Sequence, residues 1–131
     1  MSNIVELINQ IPGVLVMEGC SDEQIQEAEE ALSIKFPQEY IDYVKAFGCI
    51  EFKAKEWTGL NIKGRLNTVN ATLKEKSVND DFPSGFFVLE NTCIDAIVIA
   101  CNEAGEVFFV QNSVCRKIAD SISGYIELSL T

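Results

Sequence analysis

The sequence predicts an α+β fold, with an N-terminal helical hairpin packed on a mainly antiparallel sheet and a helix at the C-terminal end. Three observations point there. Apolar residues recur at helical spacing between Ile25 and Phe47, three strand-like runs separated by turns fill residues 85–111, and a second helical pattern ends the chain. Helices, then strands, then a helix is not the alternation that builds a parallel βαβ sheet.

"SNIVELINQ" reads as a short first helix, closed by Pro12-Gly13. The next helix opens in "CSDEQIQEAEEALSI". There Ser21 and Gln24 have capping-box spacing, and Asp22 and Glu23 fall in the first turn, where the helix dipole favours anions. Ile25, Ala28 and Leu32 form its inward face. Phe36-Pro37 breaks this helix, because a residue before proline is biased out of the helical region, and Pro37 suits the start of a new one. In that helix Tyr40, Ile41, Val44 and Phe47 make the apolar stripe, and Gly48 stands where a left-handed C-terminal cap is wanted.

From Cys49 the character changes. "CIEF" and "WTGLNI" have strand-like composition, and "TVNATLKEKSV" reads as a helix between polar connections. After Phe82-Pro83 come "GFFVLEN", "DAIVIACN" and "EVFFVQN", joined by Asn-Thr and Glu-Ala-Gly turns in the rhythm of an antiparallel meander. "RKIADSISGYIELSL" then reads as an amphipathic helix with Ile118, Ile122, Tyr125 and Ile126 inward, weakened by Gly124. No repeat, low-complexity tract or linker interrupts the chain, so residues 1–131 read as one domain.

Composition narrows the function. A hydrophobic share of 47% over 131 residues suffices for a packed core. Residues 1–17 lack a basic stretch ahead of their apolar residues, and no apolar run approaches membrane-spanning length, which points to a cytoplasmic protein without membrane contact. There is no histidine. Its absence removes Ser-His-Asp and Cys-His nucleophile activation, histidine metal sites and the usual near-neutral general base. The five cysteines (Cys20, Cys49, Cys93, Cys101, Cys115) are odd in number and show no C-x-x-C, so they read as reduced thiols rather than a disulfide or zinc framework. Only Cys115 has cations, Arg116 and Lys117, beside it. No catalytic residue, metal or cofactor is therefore assigned.

The net charge of −10 is uneven: residues 1–50 carry −7, residues 51–80 carry +2 and residues 81–131 carry −5. Such a surface repels phosphate backbones, which argues against direct nucleic-acid binding and for a basic protein partner.

The series Ile25, Ala28, Glu29, Leu32, Ile34, Phe36-Pro37, Tyr40, Val44 and Gly48 resembles the N-terminal signature of the SUKH superfamily, the Smi/Knr-type domain first named from yeast cell-wall assembly regulators. Trp57 to Leu60, the strand-rich stretch 85–110 and "KIADSISGYI" are similar to that family's middle strands and closing helix, so the resemblance covers residues 20–128. The family often has Leu before the proline and Asn-Gly at the hairpin's end, where this chain has Phe36 and Phe47-Gly48. The resemblance implies an immunity protein, since many bacterial members bind and block the toxin domain of a contact-dependent or otherwise secreted toxin, often a nuclease. Two rivals stand beside that expectation. One is a regulatory interaction module like the fungal branch; the other is a carboxylate-based enzyme with Glu29, Glu51 or Asp95 as candidates.

The candidate partner-binding residues are Glu23, Gln26, Glu27, Glu30, Trp57, Asp80, Asp81 and Asp95. Glu23, Gln26, Glu27 and Glu30 fall opposite Ile25, Ala28 and Leu32 on a helical wheel, and Glu23-Glu27 is a like-charge i,i+4 pair. This stripe reads either as a solvated face or as a surface for a basic partner. Glu29, at the edge of the apolar face, reads as structural and bonded to a backbone amide or a cation. Trp57 suits a core as well as an interface anchor. Asp80, Asp81, Glu90 and Asp95 could extend the acidic surface or be solvated turn formers. Lys53, Lys55, Lys63, Arg65, Lys74 and Lys76 read as balancing charge, since nothing in their spacing offers the aromatic platform a nucleic-acid strand needs.

Overall fold

Seven strands pair in chain order into one antiparallel sheet: β1 (Leu15–Glu18), β2 (Phe47–Phe52), β3 (Lys55–Trp57), β4 (Phe87–Asn91), β5 (Ile97–Cys101), β6 (Val107–Gln111) and β7 (Val114–Ala119). The computed structural model describes residues 3–92, 94 and 96–130. Five α-helices accompany the sheet: α1 (Ile4–Asn9), α2 (Asp22–Leu32), α3 (Gln38–Ala46), α4 (Thr68–Val78) and α5 (Ile122–Ser129). No helix among them is long and apolar enough to cross a membrane.

The apolar runs of the meander are continuous rather than alternating because both faces of the central strands are covered. Phe87 and Leu89 of β4, Ile99 and Cys101 of β5 and Val107 of β6 join Ile4, Ile25, Leu32, Tyr40, Val44 and Ile126 in the main core, under α1, α2, α3 and α5. Val88, Ala100 and Val110 point the other way and pack with Phe82 in a second cluster, against Ala71 of α4.

The hairpin forms as its sequence predicts. The Ser21 Oγ accepts from the Gln24 N–H at 3.2 Å while the Ser21 N–H donates to the Gln24 Oε1 at 2.9 Å, which closes the capping box. Ser33 ends α2 in the left-handed region at φ 55°, and Pro37 caps α3 with an extended backbone. Phe36 lies 5.0 Å from the Tyr40 ring and 4.9 Å from that of Phe87, so the Phe-Pro break also fills the core. Tyr43 is fully buried as well, although the expected stripe omits it, because α3 is enclosed by α1, α5 and β2.

Four features differ from expectation. Gly48 is not a left-handed cap: α3 runs directly into β2, and a Cβ on Gly48 would come within 2.2 Å of the Glu18 carbonyl oxygen of β1. It is glycine because two strands meet closely there. Residues 116–119, expected to open the last helix, belong instead to strand β7. The Asn112-Ser113 turn, with Asn112 at φ 53°, folds β7 back on β6, and α5 begins only after its N-cap Ser121. Ile118 therefore reaches the core from a strand. Finally, "WTGLNI" contributes only Trp57 to a strand, and β1 is an additional strand with no counterpart in the expected elements.

Candidate functional site

α2 presents the acidic stripe as a real surface. Glu23, Gln26, Glu27 and Glu30 are all exposed, while Ile25, Ala28 and Leu32 are buried beneath them. The first fifty residues hold two basic side chains, Lys35 and Lys45. Lys35 lies 3.8 Å from Glu29 and Lys45 3.1 Å from Asp22, so both cations serve carboxylates outside the stripe. Among the described residues, no ion pair reaches Glu23, Glu27 or Glu30.

The C-terminal half of α2 intensifies this field. The helix dipole places partial negative charge at its C-terminus and favours cations there, yet the last turn of α2 holds no basic residue. The stripe opens at this end onto a depression of about 410 Å³ lined by Gln26, Glu29, Glu30, Ser33, Lys35 and Glu103, among others. Glu103, from the β5–β6 turn, is held in place by accepting the Lys35 N–H at 2.6 Å. A separation of 68 positions in sequence hides this neighbour from any local reading.

Glu29 is structural, as expected. Its Oε2 accepts the Phe36 N–H at 2.8 Å, and its side chain is largely buried beside Lys35, so it pins the chain that leaves α2.

The remaining candidates lie elsewhere. Trp57 is 0% exposed; its ring stacks 6.2 Å from Tyr125 and meets Tyr43 edge-on at 5.4 Å, so it is a core residue and touches no partner from there. Asp80 and Asp81 are exposed but sit on the turn after α4, beside Phe82 of the second cluster. The Asp81 N–H donates to Asn79 Oδ1, the arrangement of turn formers. Asp95 lies outside the described residues.

Glu90 does not extend the surface. It is 3% exposed, with its Oε1 accepting from the Tyr125 hydroxyl at 2.7 Å and from the Trp57 indole N–H at 3.2 Å, and Lys55 standing 3.8 Å from its Oε2. Burial pushes its carboxyl above the usual range, more than the Tyr125 hydrogen bond and the Lys55 charge lower it. Glu90 lines a depression of about 310 Å³ with Phe109 and Ile99, so a buried carboxylate of raised pKa does exist here. It is not one of the three carboxylates expected for catalysis, and its bonds to Tyr125 and Trp57 tie it to the interior.

The basic residues do not gather on one platform. Arg65 makes a two-pronged pair with Glu56 at 2.9 Å, and with Lys74 it lines a depression whose walls, Val78, Ile94 and Ile97 among them, include no aromatic ring. The free thiols are unactivated. Burial raises Cys20, Cys49, Cys101 and, to a smaller extent of burial, the exposed Cys115; Cys93 lies outside the described residues.

Compared with known families, residues 22–126 match a model described as SUKH_6, SMI1-KNR4 cell-wall. No curated protein matches the chain.

Proposed function

The chain belongs to the SMI1-KNR4 (SUKH) family, whose members include toxin immunity proteins, and on that premise we propose that it binds and neutralises a cognate toxin domain. The partner is basic, a nuclease domain being the kind whose active groove an acidic protein covers, and the encounter takes place in the cytoplasm. The role is binding without catalysis.

One observation supports this reading above the others. The only two cations in the first fifty residues are engaged by Asp22 and Glu29, which leaves Glu23, Glu27 and Glu30 without an ion pair among the described residues, Glu30 at the negative end of the helix dipole. Repulsion between Glu23 and Glu27 and between Glu27 and Glu30, neighbours on one helix face, costs the free protein a little, and a cationic partner relieves it. A lysine or arginine of the toxin fits the depression between Glu30 and Glu103, where charge-assisted hydrogen bonds are available.

A tagged pull-down from cells expressing neighbouring toxin domains tests the proposal, with washes at low and then high salt. The expected result is a basic toxin domain retained by the wild type and lost by the Glu23→Lys, Glu27→Lys, Glu30→Lys variant. Retention of host proteins alone would replace the immunity role with a regulatory one.

A further inference from the structure

The two edges of the sheet are finished differently. β7 presents Arg116 and Lys117 on its exposed edge strand: Arg116 lies 5.0 Å over the Phe109 ring, and Lys117 pairs with Glu106 at 3.2 Å and Asp120 at 2.8 Å. Charged side chains of this kind protect an edge from pairing with other chains. β1 carries no basic side chain, and its one charge, Glu18, stands at its end. Leu15, Val16 and Met17 are 64%, 46% and 51% exposed, three consecutive large apolar residues on a strand with β2 as its one strand neighbour among the described residues.

The charge beside this edge is negative. Glu18 ends β1, and Glu51 stands directly across from Leu15 on β2; both are exposed, and neither has an ion pair among the described residues. β1 then leads through Gly19 and Cys20 into the helix that carries Glu23. The side chains at this edge thus call for apolar contact and positive charge, while its backbone offers hydrogen bonds to an added strand.

From this we infer that the outer edge of β1 is a strand-addition site for an extended partner segment that carries both basic and apolar residues. Main-chain hydrogen bonds would supply affinity, and on each face of the sheet the added side chains would meet an apolar residue beside an acid, Leu15 with its cross-strand partner Glu51 on one face and Val16 with Glu18 on the other. The inference rests on the proposed partner-binding role and adds the partner's local chemistry: the toxin offers this edge a basic strand as it meets α2.

The test uses the full chain and a capped heptapeptide of sequence Lys-Lys-Val-Val-Lys-Lys-Val, which sets both residue types on each face of a strand, with amide hydrogen exchange as the readout. Exchange of the outward amides among residues 15–18 is expected to slow about tenfold at saturating peptide, and to return to the free rate in the Val16→Lys, Met17→Lys variant. Both side chains are exposed, so the variant keeps the wild-type melting temperature; Leu15→Lys alone is the milder substitute if it does not. No slowing up to about 1 mM peptide overturns the inference. So does equal slowing by a glutamate–valine peptide, which would remove the charge preference. Protection that appears without peptide and grows with protein concentration would give the edge to a second copy and overturn it as well. The Glu23→Lys, Glu27→Lys, Glu30→Lys variant keeps the two readings apart, because it abolishes toxin capture through α2 while leaving the β1 amides open to the peptide.

Discussion

The two helices of the N-terminal hairpin, α2 and α3, follow the same local rules and spend their polar residues differently. Every polar side chain of α3 has a partner within the fold. Gln38 donates to Asp42, the Glu39 Oε1 accepts the Ile122 and Ser123 N–H groups at the start of α5, and Lys45 pairs with Asp22. The Tyr40 hydroxyl bonds to Thr58 and Thr68, and the Tyr43 hydroxyl donates to the Thr58 carbonyl at 2.6 Å. On α2, Asp22, Gln24 and Glu29 are likewise engaged. The four left without a partner among the described residues are Glu23, Gln26, Glu27 and Glu30, the four that share its outer face. Polar residues that the fold does not use are the ones available to something outside it.

If α3 is frame, its loss should show as stability. Tyr43→Ala removes a fully buried ring packed between Tyr40 and Trp57, and should lower unfolding free energy by about 3–5 kcal/mol, read from the denaturant midpoint. Glu39→Ala strips two backbone donors of α5 of their acceptor and should cost about 1–2 kcal/mol in the same assay.

A third prediction concerns pH. The Glu90 carboxyl is raised in the folded state from its ordinary value of 4.5, so between that value and its folded pKa the native protein holds a proton that the unfolded chain has released. Its stabilising contribution is full below about pH 4.5 and is lost as pH rises through the folded pKa. Glu90→Gln should flatten that part of the stability–pH curve. An unchanged slope would show that Glu90 titrates normally and that its burial has been misjudged.

The smallest expected effect has the opposite sign. Glu30→Lys places a cation in the last turn of α2 and removes one like charge from the stripe, and should stabilise the free protein by a few tenths of a kcal/mol. A face kept acidic at the expense of stability is what a binding surface predicts; destabilisation by this change would move α2 into the frame with α3.

The hairpin and the acidic face were legible because their determinants are local. Capping at Ser21, the Phe36-Pro37 break and the wheel that sets Glu23, Gln26, Glu27 and Glu30 opposite Ile25 all lie within a few residues of one another. What escaped depends on distant partners. Ile118, Ile122, Tyr125 and Ile126 keep helical spacing across the Asp120-Ser121 boundary, so a strand and a helix read as one helix until β6 pairs with residues 114–119. Gly48 reads as a cap from its neighbours, but its requirement comes from Glu18, thirty residues earlier. Glu90 reads as a surface acid at a strand end. The register shift between Val88 and Glu90 accompanies its placement inside, beneath Trp57 and Tyr125. Glu103 joins the site only through the fold.

The most direct test of the central claim is the rate at which the captured toxin domain associates with the wild type and with the Glu23→Lys, Glu27→Lys, Glu30→Lys variant, measured by stopped flow across ionic strengths from about 0.02 to 0.5 M. An acidic docking face predicts a wild-type rate that falls steeply with salt, a variant on the order of 100-fold slower at low salt, and little difference between the two dissociation rates. Equal association rates, or a wild-type rate indifferent to salt, would contradict it and place the toxin's landing site away from α2.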